Sequence, residues 1–463
     1  MEPSTQVLFA ILIILLSWPL LRAVVQRRNA DIFAPSILFS VCLMYGYVYP
    51  LPRFLEGTDT FSMFLGGEFN HFANSLRFSV LLVILGVVGL YLGYRMGKNQ
   101  GPVNGSQDTY VQVKFGQGLW DPRKLRSVGW IYSLIGLAMF SVGTALLGGP
   151  SMLIHGLGDR LRLFEGLYLF ILPVNLLLVV TLVWWTYLLS TGRKVGVLFF
   201  SYAVFSFLLN GLQGNKSTLL VFIVSFAVLY HYLRRRLSLK YVAIGAAASV
   251  LLLTFYALFA REYLVAGAFE TIDVQDVPTS VILGAVDRAL EAEAFQLQML
   301  TFLVDRMPEG LDFQYGKTLL PLLTTPIPRK LWPGKPVTVP GTIAMAYWPD
   351  DWLDSGTTHP PGLLGECYIN LSGPGCFLGM LGFGYLYGRF RRNVLRTPTH
   401  PLALARYSIL LALIPHYFRG EFVSATVMYA TFAIPIWCFQ LLLVSPGTAP
   451  GAGLVAQTLS QEG

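Results

Sequence analysis

Two residues near the end of a long polar segment are candidates for proton transfer. His359 and Glu366 lie in THPPGLLGE (358–366), where the chain leaves this segment and becomes apolar again. A carboxylate in the apolar setting GLLGECYIN is partly desolvated, which raises its pKa and makes it a better base near neutral pH. The alternative for Glu366 is a structural carboxylate that pairs with a neighbouring arginine.

Basic residues beside apolar runs form a second group of candidates. A charge at membrane level costs roughly 2.5–3.5 kcal/mol, so such positions call for an explanation. If these residues converge, they would bind an anion, and a diphosphate suits several guanidinium and ammonium donors. The alternative is that each one is an interfacial anchor that reaches toward lipid phosphates. The candidates are Lys216 in NGLQGNKSTLL, Arg261 in LTFYALFARE, Arg329 and Lys335 in IPRKLWPGKP, and Arg419 in IPHYFRGEF.

The elements that must position these residues are membrane helices. Hydrophobic residues make up 54% of the 463 positions and charged residues only 13%, against about a quarter charged in soluble domains. Apolar runs of about 20 residues recur along the chain, and we predict about 11 membrane helices from them. They lie near 5–25, 31–51, 73–95, 127–147, 167–190, 196–212, 217–234, 239–260, 370–388, 402–418 and 422–445.

The net charge of +8 follows the predicted topology. Basic residues gather in alternate connections, at 22–28, 95–126, 193–194, 234–240 and 389–396, and lysine and arginine near span ends are retained on the cytoplasmic side. In the long segment 261–361, acidic residues outnumber basic ones, so we place it outside. The N-terminus is then outside and the C-terminus inside. Because the charge is explained in this way, nucleic acid is not an expected partner.

We predict an all-α polytopic membrane protein with a single membrane domain over 1–463 and one large extracytoplasmic loop over 261–361. Within the loop, residues 278–308 have the periodicity of one amphipathic helix. It would lie flat on the membrane or pack over the bundle as a lid, and a plain structural brace is the alternative. The prolines that follow indicate an irregular but ordered loop.

Metal-binding patterns in the sequence are weak. The cysteines at 42, 367, 376 and 438 show no CxxC spacing, so neither a metal site nor a disulfide framework is predicted. Asp350, Asp351 and Asp354 offer oxygen ligands for a divalent cation, although such a run is more often a solvated turn. We expect no metal and no cofactor.

The order of these features resembles the bacterial oligosaccharide repeat-unit polymerases, the O-antigen polymerase (Wzy-type) family. The resemblance depends on five short stretches, and it covers the second half of the chain better than the first. One departure is that the family often has arginine where this chain has Lys216, which keeps the charge but loses bidentate geometry. The stretches are GNKSTLL (214–220), FARE (259–262), IPRKLWPGKP (327–336), GLLGECYINLSGPG (362–375) and FRG (418–420).

The resemblance implies a glycosyltransferase at the outer face of the bacterial cytoplasmic (inner) membrane, which extends sugar chains linked to undecaprenyl diphosphate. The candidate residues supply compatible parts for this reaction. Glu366, or His359 as the second candidate, would take the proton of the attacking hydroxyl. Arg329 would assist catalysis, and the diphosphate would be held by Lys216, Arg261, Arg329, Lys335 and Arg419. The tryptophans at 332, 348 and 352 would stack on sugar faces, and the alternative is that they are interfacial tryptophans, which are common at membrane surfaces.

The implied partners are undecaprenyl-diphosphate-linked oligosaccharides and membrane lipids, with a chain-length regulator and a flippase as further candidates. An O-antigen ligase, or another lipid-phosphosugar glycosyltransferase, would share the long loop and the basic residues. A transporter for the lipid-linked sugar is a third possibility. It would require charges in mid-membrane helices and broken helices in two repeated halves, and the sequence contains few such charges.

Overall fold

The structure, a computed structural model, describes most of the chain. The described residues are 3–26, 30–56, 73–99, 110–115, 119–155, 164, 166–213, 216–245, 248, 290–291, 293–325, 327, 331–356, 358–396 and 400–443. Arg261, Arg329 and most of the predicted span at 239–260 lie outside these ranges.

Within the described ranges the regular structure is helical and contains no β-strand. Two 3₁₀ turns, Leu172–Val174 and Lys317–Leu319, precede helices. In chain order the helices are α1 (Pro3–Val25), α2 (Pro35–Tyr47), α3 (Leu51–Glu56), α4 (Ala73–Asn99), α5 (Pro122–Leu146), α6 (Pro150–His155), α7 (Tyr168–Ile171), α8 (Asn175–Thr191), α9 (Val197–Gly211), α10 (Lys216–Leu233), α11 (Gln296–Arg306), α12 (Leu320–Thr324), α13 (Val339–Tyr347), α14 (Pro349–Ser355), α15 (Gly362–Arg396), α16 (Pro401–Ala412), α17 (Ile414–Arg419) and α18 (Phe422–Leu443).

Six helical segments of the described chain are long and apolar enough to cross a membrane. This confirms the prediction of an all-helical, multi-pass membrane protein, while the count of about 11 spans stays a prediction. Shorter apolar helices occur at Val197–Gly211 and Ser217–Leu233. The six segments are Pro3–Val25, Asn74–Asn99, Pro122–Leu146, Tyr168–Thr191, Pro401–Arg419 and Phe422–Leu443.

The predicted span at 370–388 belongs to a longer helix that is interrupted. In α15, Leu371 (φ −141°, ψ 22°) and Ser372 (φ 55°, ψ −146°) depart from helical geometry. Pro374 explains the interruption, because proline has no N–H and its ring clashes with the carbonyl four residues earlier. The Glu366 segment is therefore a separate piece of helix that precedes the predicted span.

The described residues form two compact units, each made from three separated parts of the chain. Unit 1 comprises 1–110, 288–392 and 413–428, and unit 2 comprises 111–287, 393–412 and 429–463. The prediction of one membrane domain over 1–463 stays a prediction.

In unit 1, α4 and α15 approach each other through glycines. A Cβ at Gly93 or Gly97 would contact backbone atoms of α15, and a Cβ at Gly384 or Gly388 would contact backbone atoms of α4. Small residues four apart allow this close approach of membrane helices. Gly384 and Gly388 therefore have a packing role, with α4 as the partner helix.

A buried ion pair lies in the same unit. Arg391 near the end of α15 donates to Asp31 just before α2 at 2.5 Å, and Asp31 also accepts the N–H of Phe33 at 3.1 Å. Asp31 is fully buried and Arg391 is nearly so. Because a buried charge is stable only when it is paired, this contact fixes the end of α15 to the start of α2.

The predicted amphipathic helix at 278–308 is not one continuous helix, since residues 290–291 are helical and residues 293–295 are not. The described helix α11 begins at Gln296, and the three residues before it are not helical. Eight of its 11 residues are buried, and it packs against α4 and α2. Because residues 296–303 are buried inside the protein, this part of the helix does not lie flat on the membrane surface, as one of the two predicted arrangements required. Residues 278–289 lie outside the described ranges.

Unit 2 is built on α8, which packs against α5, α9, α10 and α16. Most residues of α8 are buried, since the helix is apolar on all sides. Polar side chains inside the unit satisfy each other, as in the 2.6 Å hydrogen bond between Ser133 and Tyr202. Phe222 and Phe432 pack edge to face at 4.7 Å, so α18 also contributes to this core.

Candidate active site

Two buried glutamates of unit 1 lie close together. Glu366 in the first part of α15 and Glu421 between α17 and α18 are each only 2% exposed. Glu366 accepts the N–H of Phe422 at 2.7 Å, and Phe422 directly follows Glu421, so the two residues are neighbours. Gly362 makes this approach possible: it has φ +69°, and a Cβ there would lie 2.5 Å from the carbonyl oxygen of Phe418.

Glu366 is bound through one oxygen only. Its Oε2 accepts the N–H of Phe422 at 2.7 Å, at the first residue of α18, where unpaired N–H groups favour a negative charge. Its Oε1 has no hydrogen-bond partner among the described residues. The second oxygen is therefore free to accept a proton or a hydroxyl group.

Burial raises the pKa of Glu366 to about 7, and Glu421 adds to the increase. The N–H of Phe422 and the nearby hydroxyl of Thr318 oppose this increase without cancelling it. A carboxylate with such a pKa exchanges protons readily at neutral pH. The burial and raised pKa agree with the desolvated carboxylate that the sequence predicts.

Glu421 is bonded through both oxygens. Oε2 accepts the N–H of Val339 at 3.0 Å, at the start of α13, and Oε1 accepts the hydroxyl of Ser424 in α18. Burial raises the pKa of Glu421, while the hydroxyls of Ser424 and Thr338 and the N–H of Val339 oppose this. Sequence analysis did not select this residue. The available signal was an acidic residue directly before an apolar helix, a position that suits capping.

Arg419, at the end of α17, forms an ion pair with Glu293. The two side chains are 38% and 26% exposed. The sequence alternative in which Glu366 pairs with an arginine is therefore not observed among the described residues, because the nearest arginine in the FRGE stretch has another partner. A partly exposed guanidinium can exchange this carboxylate for another anion.

His359 precedes α15 and is surrounded by aromatic rings. It packs edge to face against Trp348 at 5.1 Å and against Phe295 at 6.2 Å. Burial lowers the pKa of His359, and Asp351 opposes this shift, so the imidazole is neutral at pH 7. Its aromatic contacts give His359 a clear packing role.

The three tryptophans with predicted sugar contacts differ in their surroundings. Trp348 stacks on Phe302 of α11 at 5.0 Å, so one face of its ring is covered by the protein. Trp352 packs against Gly341, whose added Cβ would lie 3.3 Å from the indole. Trp332 is 42% exposed and is the most accessible of the three.

Among the five predicted cations, the structure describes the side chains of Lys335 and Arg419 only. Lys335 donates to the carbonyl oxygens of Thr325 at 3.2 Å and Ile327 at 3.0 Å, so it closes the proline-rich loop. Lys216 is the first residue of α10 in unit 2, and its side chain is outside the described part. Arg261 and Arg329 are also outside it. Convergence of the five cations stays a prediction.

The aspartates with a possible metal-binding role lie on a short surface helix. Asp350 and Asp351 occupy the first turn of α14 and Asp354 follows them, and all three are exposed. Within the described ranges no group of three or more His, Cys, Asp or Glu residues is arranged to hold a metal ion. The four cysteines are free thiols.

Comparison with known proteins returned no match: no family model, no curated protein and no solved structure matches this chain.

Proposed function

We propose that the protein is a membrane glycosyltransferase that polymerises undecaprenyl-diphosphate-linked oligosaccharide repeat units. The observation that carries the proposal is Glu366, a buried carboxylate whose pKa is raised to about 7 and whose Oε1 is unpaired. Glu366 lies in GLLGECYINLSGPG (362–375), and Phe422, which binds it, follows FRG (418–420). Both stretches are among those on which the resemblance to repeat-unit polymerases depends. The chemistry expected of Glu366 and the family resemblance therefore both support this region as the active site.

In the proposed reaction, a hydroxyl at the non-reducing end of the acceptor attacks the anomeric carbon of the donor chain. A new glycosidic C–O bond forms, and the bond between the anomeric carbon and the diphosphate oxygen breaks. Oε1 of Glu366 takes the hydroxyl proton, and the lipid diphosphate leaves with the bonding electrons. General bases contribute about 10²–10⁴-fold to such steps when their pKa lies near the working pH.

Arg419 is the described cation best placed to receive the leaving diphosphate. It lies two residues before Glu421 and three before Phe422, whose N–H binds Glu366. A guanidinium binds phosphate oxygens in pairs and stays charged, and a donor of this kind contributes about 3–4 kcal/mol to stabilising a developing negative charge. In this proposal the diphosphate replaces Glu293 as the partner of Arg419.

The burial of Glu366 sets a condition on this mechanism. At 2% exposure, the carboxylate meets an acceptor hydroxyl only after a neighbouring segment moves. Exchange of the Arg419–Glu293 ion pair supplies such a change in the adjacent FRGEF segment. His359 is the second candidate base, and its ring would have to leave the contact with Trp348 to act.

The proposal includes the number of membrane spans and the side of the membrane on which the active site lies. About 11 spans would place the loop 261–361 and the active site on the extracytoplasmic side of the bacterial inner membrane. The product would be an O-antigen, capsule or exopolysaccharide chain. A flippase would deliver the lipid-linked unit, and a chain-length regulator would act on the growing polymer.

The decisive experiment is an extension assay with the purified full chain and one defined undecaprenyl-diphosphate-linked repeat unit. The expected result is a ladder of lipid-linked products that is unchanged by a chelator. Transfer only to a lipid A core acceptor would instead identify a ligase. Movement of the lipid-linked sugar across a vesicle membrane without lengthening would identify a transporter, and either result would refute the proposal.

A cellular comparison separates the first two activities independently. Deletion of a polymerase leaves a single repeat unit on the lipopolysaccharide core. Deletion of a ligase leaves an uncapped core and accumulated lipid-linked polymer. The first pattern is expected here.

A further inference from the structure

Unit 2 contains a large apolar cavity that the proposed reaction does not use. It has a volume of about 630 Å³, within the range of ligand cavities. Residues of α5, α8, α9 and α18 line it, and its walls include Trp130, Val183, Leu198, Phe199 and Phe439. Trp130 is 63% and Leu198 74% exposed, so the cavity has an apolar opening on the surface of the unit.

Three cations belong to the lining of the same cavity: Arg126, Arg193 and Lys194. All three are exposed, and no Asp or Glu occurs among the described lining residues. The Arg193 guanidinium lies over the ring of Tyr187 at 5.3 Å, which orients it. The cavity therefore combines apolar walls with a purely positive group of side chains.

Two further polar side chains of the lining are paired with each other. The hydroxyls of Ser133 and Tyr202 form a 2.6 Å hydrogen bond. The lining thus offers mainly positive charge and apolar surface.

We propose that this cavity binds an anionic phospholipid of the bilayer. An acyl chain occupies the apolar walls, and the phosphate group is held by Arg126, Arg193 and Lys194. A soluble anion would gain nothing from the apolar walls, and a neutral hydrocarbon would gain nothing from three cations. Basic pockets between membrane helices bind acidic lipid headgroups in the same way. The cavity of about 630 Å³ has room for an acyl chain of ordinary length but not for the much longer chain of a polyprenyl phosphate, so the occupant is an anionic phospholipid.

The test uses the purified full chain in detergent and three lipid probes: phosphatidylglycerol, phosphatidylcholine and undecaprenyl phosphate. Native mass spectrometry measures the fraction of protein with bound lipid as each probe is titrated. Phosphatidylglycerol is expected to bind at least about tenfold more tightly than phosphatidylcholine, and more tightly than undecaprenyl phosphate.

Two variants locate the site. Removal of the three cations (R126Q/R193Q/K194Q) should weaken phosphatidylglycerol binding about tenfold or more. The matched control R95Q/R235Q/K240Q removes the same charge from exposed positions outside the cavity and should bind as the wild type does. Thermal unfolding of both variants verifies that they are folded.

A third variant tests the apolar part. Gly129 lines the cavity, and a Cβ there would have its nearest contact at 3.6 Å from Val180, so a Cβ is tolerated and the rest of the side chain in Gly129→Leu would occupy space that the acyl chain needs. Thermal unfolding of this variant verifies that it is folded. It should reduce phosphatidylglycerol binding without changing net charge. Equal binding of phosphatidylglycerol and phosphatidylcholine, stronger binding of undecaprenyl phosphate, or unchanged binding in the cation-free variant would each overturn the proposal.

Discussion

Glu366 and Glu421 are equally buried, but their oxygens are used differently. Glu421 accepts hydrogen bonds on both oxygens and connects the starts of α13 and α18. Glu366 accepts the N–H of Phe422 on Oε2 and leaves Oε1 unpaired. A buried polar atom without a partner is costly, and in our proposal this cost at Glu366 accompanies its role in proton transfer. The comparison separates a carboxylate that holds the structure together from one that is available for chemistry.

Glu366→Gln should produce the largest effect on activity. The amide keeps the size of the side chain and can still accept the N–H of Phe422, but it cannot take a proton from a hydroxyl. Extension of the lipid-linked repeat unit should fall by about 10²–10⁴-fold, with the protein level in the membrane unchanged. Full activity of this variant would move the proton transfer to His359 or to solvent.

Arg419→Ala should reduce extension by about 10²–10³-fold, because a donor to the developing charge is lost. The matched variant is Glu293→Gln, which removes the competing carboxylate and leaves Arg419 in place. It should lower the KM for the lipid-linked donor, measured in the same assay. If both variants lowered activity equally, the ion pair would be structural and Arg419 would lose its role at the diphosphate.

The pH dependence of extension should report the carboxyl group of Glu366 directly. Only the ionised base is active, so kcat/KM should decrease about tenfold per pH unit below its pKa of about 7 and level off above it. The decrease should disappear in Glu366→Gln as measured on its residual activity. An acid limb centred near pH 4.5 would contradict the effect of burial.

The carboxyl group of Glu366 also makes the free energy of unfolding depend on pH, and its raised pKa determines the direction of this dependence. Because the fold raises its pKa, the native state binds more protons than the unfolded state between about pH 4.5 and 7. Glu366 therefore adds on the order of 3 kcal/mol to the free energy of unfolding at pH values below this window. The added stability is lost as the pH rises through about 7. Thermal unfolding in detergent should show this trend in the wild type and not in Glu366→Gln.

Glu421→Gln should have the smallest effect on catalysis and a clear one on stability. The amide oxygen can still accept the N–H of Val339 and the NH₂ group can donate to the hydroxyl of Ser424, but both bonds lose the charged acceptor that makes them strong. The free energy of unfolding should fall by about 1–3 kcal/mol, while activity per folded molecule stays within about threefold of wild type. A loss comparable to that of Glu366→Gln would remove the distinction between the two glutamates.

The sequence was sufficient where the deciding forces are local. Hydrophobic runs predicted α1, α4, α5 and α18 closely, because membrane insertion depends on contiguous apolar length. The apolar setting of Glu366 likewise predicted its desolvation. Pro374 was visible in the run at 370–388, yet the helix there was predicted as continuous, and the interruption at Ser372 was missed.

Contacts between distant parts of the chain could not be predicted. The carboxylate of Glu421 accepts the N–H of Val339, and Arg419 forms an ion pair with Glu293. These contacts exist because the fold brings distant segments together, and no local sequence pattern encodes the pairing. Lys335 illustrates the same limit. Its ammonium group donates to loop carbonyls, a use that charge alone does not distinguish from phosphate binding.

The glycine contact between α4 and α15 has a consequence for recognising distant relatives. Gly93, Gly97, Gly384 and Gly388 meet backbone atoms where no side chain fits, so alanine there would force the two helices apart. A homologue can have a different sugar specificity or basic residues at other positions, yet it must keep two pairs of small residues. The two members of each pair are separated by three positions. That spacing is a search pattern for relatives whose catalytic stretches have diverged beyond recognition.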